Sequence, residues 1–223
     1  LEMSELLPGL ARHADELCVL RSMYTDNPNH GPALLLMNNG SITPTVPSMG
    51  SWLSYGLGTE NNSLPGYVVL RDPSGYNTSG TLTWTNGWLG AQYRGTEFSS
   101  SGTPVLNLKS AVPVTSAEQR NNLDFLNRLN RIHQRRLPGE DELEARIQNY
   151  ELAARMQLSA SQVLDLSGET NQTLAMYGVD QEATSDFGRR CLMARRMVEA
   201  GVRFIEVMVT VGAGTSPFDN HGN

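Results

Sequence analysis

The chain has 223 residues, 39% of them hydrophobic and 18% charged, a globular composition that excludes a disordered chain. Its net charge of -6 excludes the strongly basic balance of a nucleic-acid binder. No apolar run approaches the ~20 residues of a membrane span.

Residues 3–14 read as a short helix, with Ser4 as a cap and a break near Pro8. The run "LCVLRSM" (17–23) suits a buried strand. A polar turn, "YTDNPN", leads into "HGPALLLMNNG" (30–40). Pro32 in the first turn and Asn39-Gly40 at the end mark that segment as a helix. Residues 47–58 give a second short helix closed by glycine. "GYVVLRD" (66–72) is a strand rich in β-branched residues.

Residues 73–114 are dominated by Gly, Ser, Thr, Asn and Pro. They read as a loop-rich insertion with short strands, laid across the domain. Trp84 and Trp88 within it either line a binding cleft or pin the loop to the core.

The second half is helical. Residues 115–137 open on Thr115 or Ser116 with Glu118 behind, a capping-box pattern, and repeat Leu123, Leu126, Leu129 and Ile132 at helical spacing. Pro138-Gly139 ends that helix, and 140–159 forms the next, with acids in its first turn. Together, 115–159 read as an antiparallel helical hairpin inserted as an accessory subdomain. His133 among Arg131, Arg135 and Arg136 reads as a solvated, dipole-complementing face, with an anion site as the alternative. Residues 184–201 are the strongest helix, with an apolar stripe of Phe187, Cys191, Ala194 and Val198. Arg189, Arg190, Arg195 and Arg196 fall largely outside it. Residues 202–210 then read as a mostly apolar strand, consistent with a central place in a parallel sheet. Strand alternating with helix predicts an α/β domain. Cys18 and Cys191 sit in apolar patterns typical of buried free thiols; a long-range disulfide is the other possibility.

Two clusters can carry chemistry. In "SPFDNHGN", Asp219 and His221 are one residue apart. In an extended segment they point to one side, and carboxylate with imidazole suits a divalent metal. Two ligands do not complete a site, and Asp-x-His is also ordinary loop sequence. The other cluster, "RSMYTDNPNHGPA" (21–33), follows a predicted strand and opens a helix, with Ser22, Thr25, Asp26, Asn29 and His30 close together. A helix N-terminus there favours an anion such as phosphate or sulfate, and a hydroxyl could serve as nucleophile. The same residues are also common turn and cap residues.

"LPGLARHADELCVLRSMYTDNPNHGPALLLMNNG" with "PSMGSWLSYGLGTENNSLPGYVVL" closely resembles the DUF1501 family, abundant in planctomycetes and related bacteria. The likeness continues through "EARIQNYELAARMQLSA", "DLSGET" and "GRRCLMARRMVEAGVRFIEV". The resemblance implies an alkaline phosphatase-like α/β fold, with sulfatases and metal-dependent phosphomutases as relatives. It implies a sheet flanked by helices and a metal-centred hydrolytic site at the strand carboxyl ends. Asp219 and His221 match the family's W-D-x-H segment, with Phe218 in place of Trp, and so become metal ligands for Zn, Mn, Ca or similar. His30 lies in the N-H-x-P-A segment, near where relatives carry a nucleophile; with Asn29 and Thr25 it forms the candidate catalytic set. No C-x-P-x-R arrangement stands there, so a formylglycine sulfatase of the usual kind does not fit.

The family pattern also places S-H-x-D-T-F-D before this stretch, and E-x-G-R-T-P and a D-H-H segment after it. Residues 1–223 are therefore expected to form a single incomplete domain. Export to the periplasm is a further implication of the resemblance. The expected activity is hydrolysis of sulfate or phosphate esters on a small molecule or polysaccharide. The alternative is a non-catalytic exported protein that keeps the fold to bind a polysaccharide or a partner.

Overall fold

The "YVVLR" run is apolar for four residues, as a strand covered on both faces must be. In the computed structural model, which describes residues 3–100, 114–137 and 141–210, it forms the centre of the sheet. Strand β1 (Tyr67–Arg71) pairs in parallel with β2 (Thr96–Ser99), Val68 opposite Thr96. On its other side it pairs in parallel with β3 (Phe204–Val207), Tyr67 opposite Phe204. The order is β2-β1-β3. The segment predicted as the central strand is thus an edge among the described residues, and its side chains are only partly buried.

Alternation along β1 separates two cores. Val68 and Leu70 face α5 (Asp141–Leu164) and α7 (Ser185–Glu199), packing with Phe98, Met156, Met193 and Met197. Tyr67 and Val69 face the other way, with Trp84 and the partly buried Phe204. Helix α3 (Met49–Leu57) covers this second face. The chain is therefore an α/β unit, a small parallel sheet between helices.

Helix α3 packs with its small residues inward. Gly50, Ser51 and Ser54 are buried, and a Cβ on Gly50 would lie 2.6 Å from the rings of Tyr67 and Phe204. Met49, Trp52, Tyr55 and Leu57 are left outside. Helix α2 (His30–Asn39) ends as its sequence predicts, with Gly40 at φ +71° and its N–H on the Leu36 carbonyl. It leans on the 3-10 turn Gly80–Trp84, where Asn39 Nδ2 donates to Leu82 O at 3.1 Å.

The helical hairpin is α4 (Ser116–Arg136) against α5. The capping box closes both ways: Glu118 N donates to Thr115 Oγ1 at 3.2 Å, and Thr115 N donates to Glu118 Oε2 at 2.8 Å. Asn127 Nδ2 donates to Glu151 Oε1 at 3.0 Å. The two residues lie at similar distances from the connection, as antiparallel helices require. Helix α5 runs five residues beyond the predicted end at 159, and Met156 and Ala160 enter the main core.

Three further expectations change. Pro8 begins a four-residue helix, α1 (Pro8–Ala11), rather than breaking one; a single 3-10 turn, Ala14–Glu16, follows. Residues 17–23 form no strand and are exposed: an apolar run needs a ladder partner to become one, and among the described residues it has none. Cys18 is exposed with them, and both cysteines are free. Third, the buried face of α7 is Gly188, Leu192, Met193 and Met197 together with Arg190, while Phe187 and Val198 lie outside. A short helix that the sequence pattern does not predict, α6 (Asn171–Met176), is capped by Thr170, whose hydroxyl accepts from Thr173 N at 3.1 Å.

Candidate functional site

Parallel strands bring all their carboxyl ends to one side, where open α/β sheets place ligands. The first residue beyond β1 is Asp72, at 6% exposure. The sequence Asp-Pro-Ser-Gly makes it the head of a tight turn. Its Oδ1 accepts from Ser74 N at 2.9 Å and from Ser74 Oγ at 2.6 Å. Its Oδ2 accepts from Thr210 N at 3.1 Å, just beyond β3, and from Arg190 Nη2 at 3.0 Å. Burial pushes the Asp72 carboxyl up, but the Ser74 and Thr210 hydrogen bonds and the Arg190 charge together hold it below the usual carboxylate range.

Arg190 reaches this point from α7, at 2% exposure. Its Nη2 also pairs with Asp186 Oδ2 at 3.0 Å, and its Nη1 donates to the Met208 carbonyl. Asp186 in turn accepts from Ser100 Oγ at 2.9 Å, next to the end of β2. One guanidinium and two carboxylates thereby tie all three strand ends to one helix. Beside them, Arg71 lies 3.5 Å from Glu97 and over the Tyr76 ring, while Tyr76 Oη donates to Glu97 at 3.1 Å. A carboxylate with lowered pKa is a weak base. Asp72 accepts from the Ser74 hydroxyl and so fixes its orientation.

The Thr25–Asn29–His30 segment is described, and its polar groups make turns. Asn27 N donates to Thr25 Oγ1 at 3.3 Å, and Asn29 N donates to Asn27 Oδ1 at 3.0 Å. Asn29 stands at the N-cap of α2 without a side-chain cap bond. The segment is anchored where Ser79 Oγ donates to Gly31 O at 2.7 Å. Ser79 belongs to the loop that leaves the carboxyl end of β1. The cluster is thus tied to the β1–β2 connection, and among the described residues no strand precedes it. Asp219 and His221 lie outside the described residues.

Among the described residues no group of three or more His, Cys, Asp or Glu side chains is placed to hold a metal. Asp72 does not fit that role, since both its oxygens are engaged and Arg190 sets a positive charge beside it. The two tryptophans part company. Trp84 is 1% exposed and belongs to the core, whereas Trp88 is 63% exposed. Sequence reasoning missed Asp72 and Arg190. The Asp-Pro-Ser-Gly turn at a strand end was a signal for the first; the second gives none in a hydropathy pattern.

A second titratable pair lies within the sheet, under α3. Tyr67 Oη donates to Glu206 Oε2 at 2.7 Å. Burial raises the Glu206 pKa, with the Tyr67 hydrogen bond opposing it; burial and the Glu206 charge raise Tyr67. The folded state then binds more protons than the unfolded chain between the unfolded Glu pKa, ~4.3, and the raised folded value. Stability from this group is present below that window and lost as pH rises through it. Glu206→Gln keeps an acceptor for Tyr67 and removes the charge. The variant is expected to show a higher urea midpoint than the wild type at pH 7, with the difference closing toward pH 4. An equal or lower midpoint at pH 7 would show that the ionised carboxylate is well solvated.

Over residues 1–223 the chain matches the family model DUF1501, described as a protein of unknown function. No curated protein and no solved structure matches it.

Proposed function

We propose, for a chain that belongs to the DUF1501 family, a metal-dependent hydrolase of sulfate or phosphate esters with an alkaline phosphatase-like plan, exported to the periplasm. The observation that carries this reading is the attachment of the α2 N-terminus to the loop leaving β1, through Ser79 Oγ and Gly31 O. The exits of β1 and β3 are themselves joined through Asp72 and Thr210. Asp219 follows Thr210 after only eight intervening residues. These links support a reading in which the Thr25–Asn29–His30 segment and the Asp219–His221 pair serve one site.

In this reading Asp219 and His221 bind a divalent metal such as Zn, Mn or Ca. A metal held there would supply Lewis-acid polarisation of the ester and of the attacking group. The opening N–H groups of α2, around Asn29 and His30, hold the anionic sulfate or phosphate. Thr25 supplies a hydroxyl near it. Asp72 and Arg190 act as positioning residues, since they fix the strand ends from which these segments leave.

The test is elemental analysis of the whole protein beside an Asp219→Ala/His221→Ala variant. The expected result is stoichiometric metal that falls at least about tenfold in the variant, with a folded circular-dichroism spectrum retained. Unchanged metal content would remove both residues as ligands. No metal in either protein would overturn the metallohydrolase reading.

A further inference from the structure

The outward face of α3 carries the one feature of this helix that packing does not use. A helix on a sheet normally turns its large apolar residues inward. Here the inward positions are Gly50, Ser51 and Ser54, and the large side chains point away. Trp52 is 43% exposed and Tyr55 56%. Trp88, from the loop after β1, sets its ring 5.7 Å from Trp52; Trp52 lies 6.1 Å from Tyr55, and Tyr55 lies 5.4 Å from Tyr93. All three contacts are edge-to-face, with interplanar angles of 74° to 90°. The rings hold one another in place while staying largely open to solvent.

This aromatic run leads into a cavity of about 290 Å³ at the amino end of the sheet, which Tyr93 also lines. Its wall is rich in side-chain amides, from Asn62, Gln92, Gln148 and Asn149. Ser54 opens into the same cavity and carries a buried hydroxyl without a hydrogen-bond partner. The wall's charged pair, Glu151 and Arg155, stands 4.0 Å apart and is neutral as a pair. Asn61 is committed to the backbone, accepting from Ser63 N and Leu64 N.

We propose that the Trp88–Trp52–Tyr55–Tyr93 face and the cavity behind it form a binding groove for a neutral saccharide chain. Aromatic faces suit the C–H faces of sugar rings, being apolar surfaces with a negative quadrupole. Amides offer a donor and an acceptor each, matching hydroxyl groups that are both. An apolar surface with a few convergent neutral polar groups is the make-up of a small-ligand site. An anionic polymer finds no net positive charge here. The groove lies at the amino end of the sheet, and binding here does not depend on the hydrolase reading.

The test is affinity electrophoresis of the whole protein through gels containing soluble β-glucan, xylan, galactomannan or dextran sulfate, each with and without EDTA. At least one neutral polymer is expected to retard migration, equally in EDTA. Trp88→Ala and Trp52→Ala should each weaken retardation at least tenfold, and Ser54→Ala should weaken it less. Phe125→Ala, an exposed aromatic on α4, should leave it unchanged. Trp88 stands on an exposed loop, so its variant tests binding without disturbing the core. Retardation by dextran sulfate alone, by no polymer, or equally in the Trp88→Ala protein overturns the proposal. So does a sedimentation coefficient that falls in Trp88→Ala, which would make this face a contact between copies of the chain. Loss in EDTA with the tryptophan variants unaffected would move saccharide binding to the metal site.

Discussion

Arg190→Met is expected to lower stability by about 3–5 kcal/mol, read from urea unfolding, because it strands a buried carboxylate. A domain of this kind holds about 5–15 kcal/mol in all, so the variant should unfold at much lower denaturant. Arg190 meets Asp72 and Asp186 through one nitrogen and the Met208 carbonyl through another. Lysine has a single charged nitrogen and no planar fork, so Arg190→Lys is expected to recover little. Asp72→Asn is expected to cost less than Arg190→Met, since Arg190 keeps Asp186 and the amide oxygen still accepts from Ser74. The double variant Arg190→Met/Asp72→Asn should be more stable than Arg190→Met alone. Its recovery measures how much of the loss came from the stranded charge.

Acid should report the same pair. Asp72 is held below the usual carboxylate range, so its contribution is fully present above the unfolded Asp pKa, ~3.9, and is lost as pH falls through the folded value. Without Arg190 that acid loss should begin at higher pH. A change under about 1 kcal/mol in Arg190→Met, with the acid limb unmoved, would mean that the strand ends are fixed by other contacts.

Local signals carried the elements they act on. Gly40 ends α2, Gly58 ends α3 and the Thr115–Glu118 box opens α4, because caps are settled within one turn of chain. The YVVLR strand is legible because it is buried on both faces and needs no partner to be recognised. "LCVLRSM" has a similar apolar run but stays exposed, since a strand is a pairing property and pairing is not written in the run itself. The buried stripe of α7 differs from the hydropathy pattern for a related reason. Its core face contains an arginine, and a charge is scored as outward until its buried carboxylate is known. The aromatic face is only partly legible: the sequence leaves Trp88 open between a cleft and a loop anchor, and Trp52 and Tyr55 read as ordinary apolar positions of a helix. Only the packing of Gly50 and Ser54 against the sheet shows that they face out.

Gly188→Ala and Gly56→Ala should move stability in opposite directions, although both exchange glycine for alanine inside a helix. In an open helical position the exchange gains up to about 1 kcal/mol. Gly56 in α3 has nothing within 4 Å of an added Cβ, so Gly56→Ala should stabilise by that amount. A Cβ on Gly188 would collide with the Tyr177 carbonyl oxygen and lie 3.0 Å from its carbon. Both are backbone atoms at the end of α6, held there by Tyr177 N on Thr173 O and Val179 N on Leu174 O. A backbone carbonyl cannot swing aside as a side-chain tip can. Helix α7 must therefore move away, and overpacking of this kind costs about 1–3 kcal/mol or more. The expected net loss is at least about 2 kcal/mol after the propensity gain. Arg190 lies two residues on, so a shifted α7 also loosens the Asp72 bridge. The acid limb of Gly188→Ala should then move in the same direction as that of Arg190→Met. A stabilised Gly188→Ala would show that α6 and α7 do not touch there, and that the close approach of these helices is not what sets Arg190 against the strand ends.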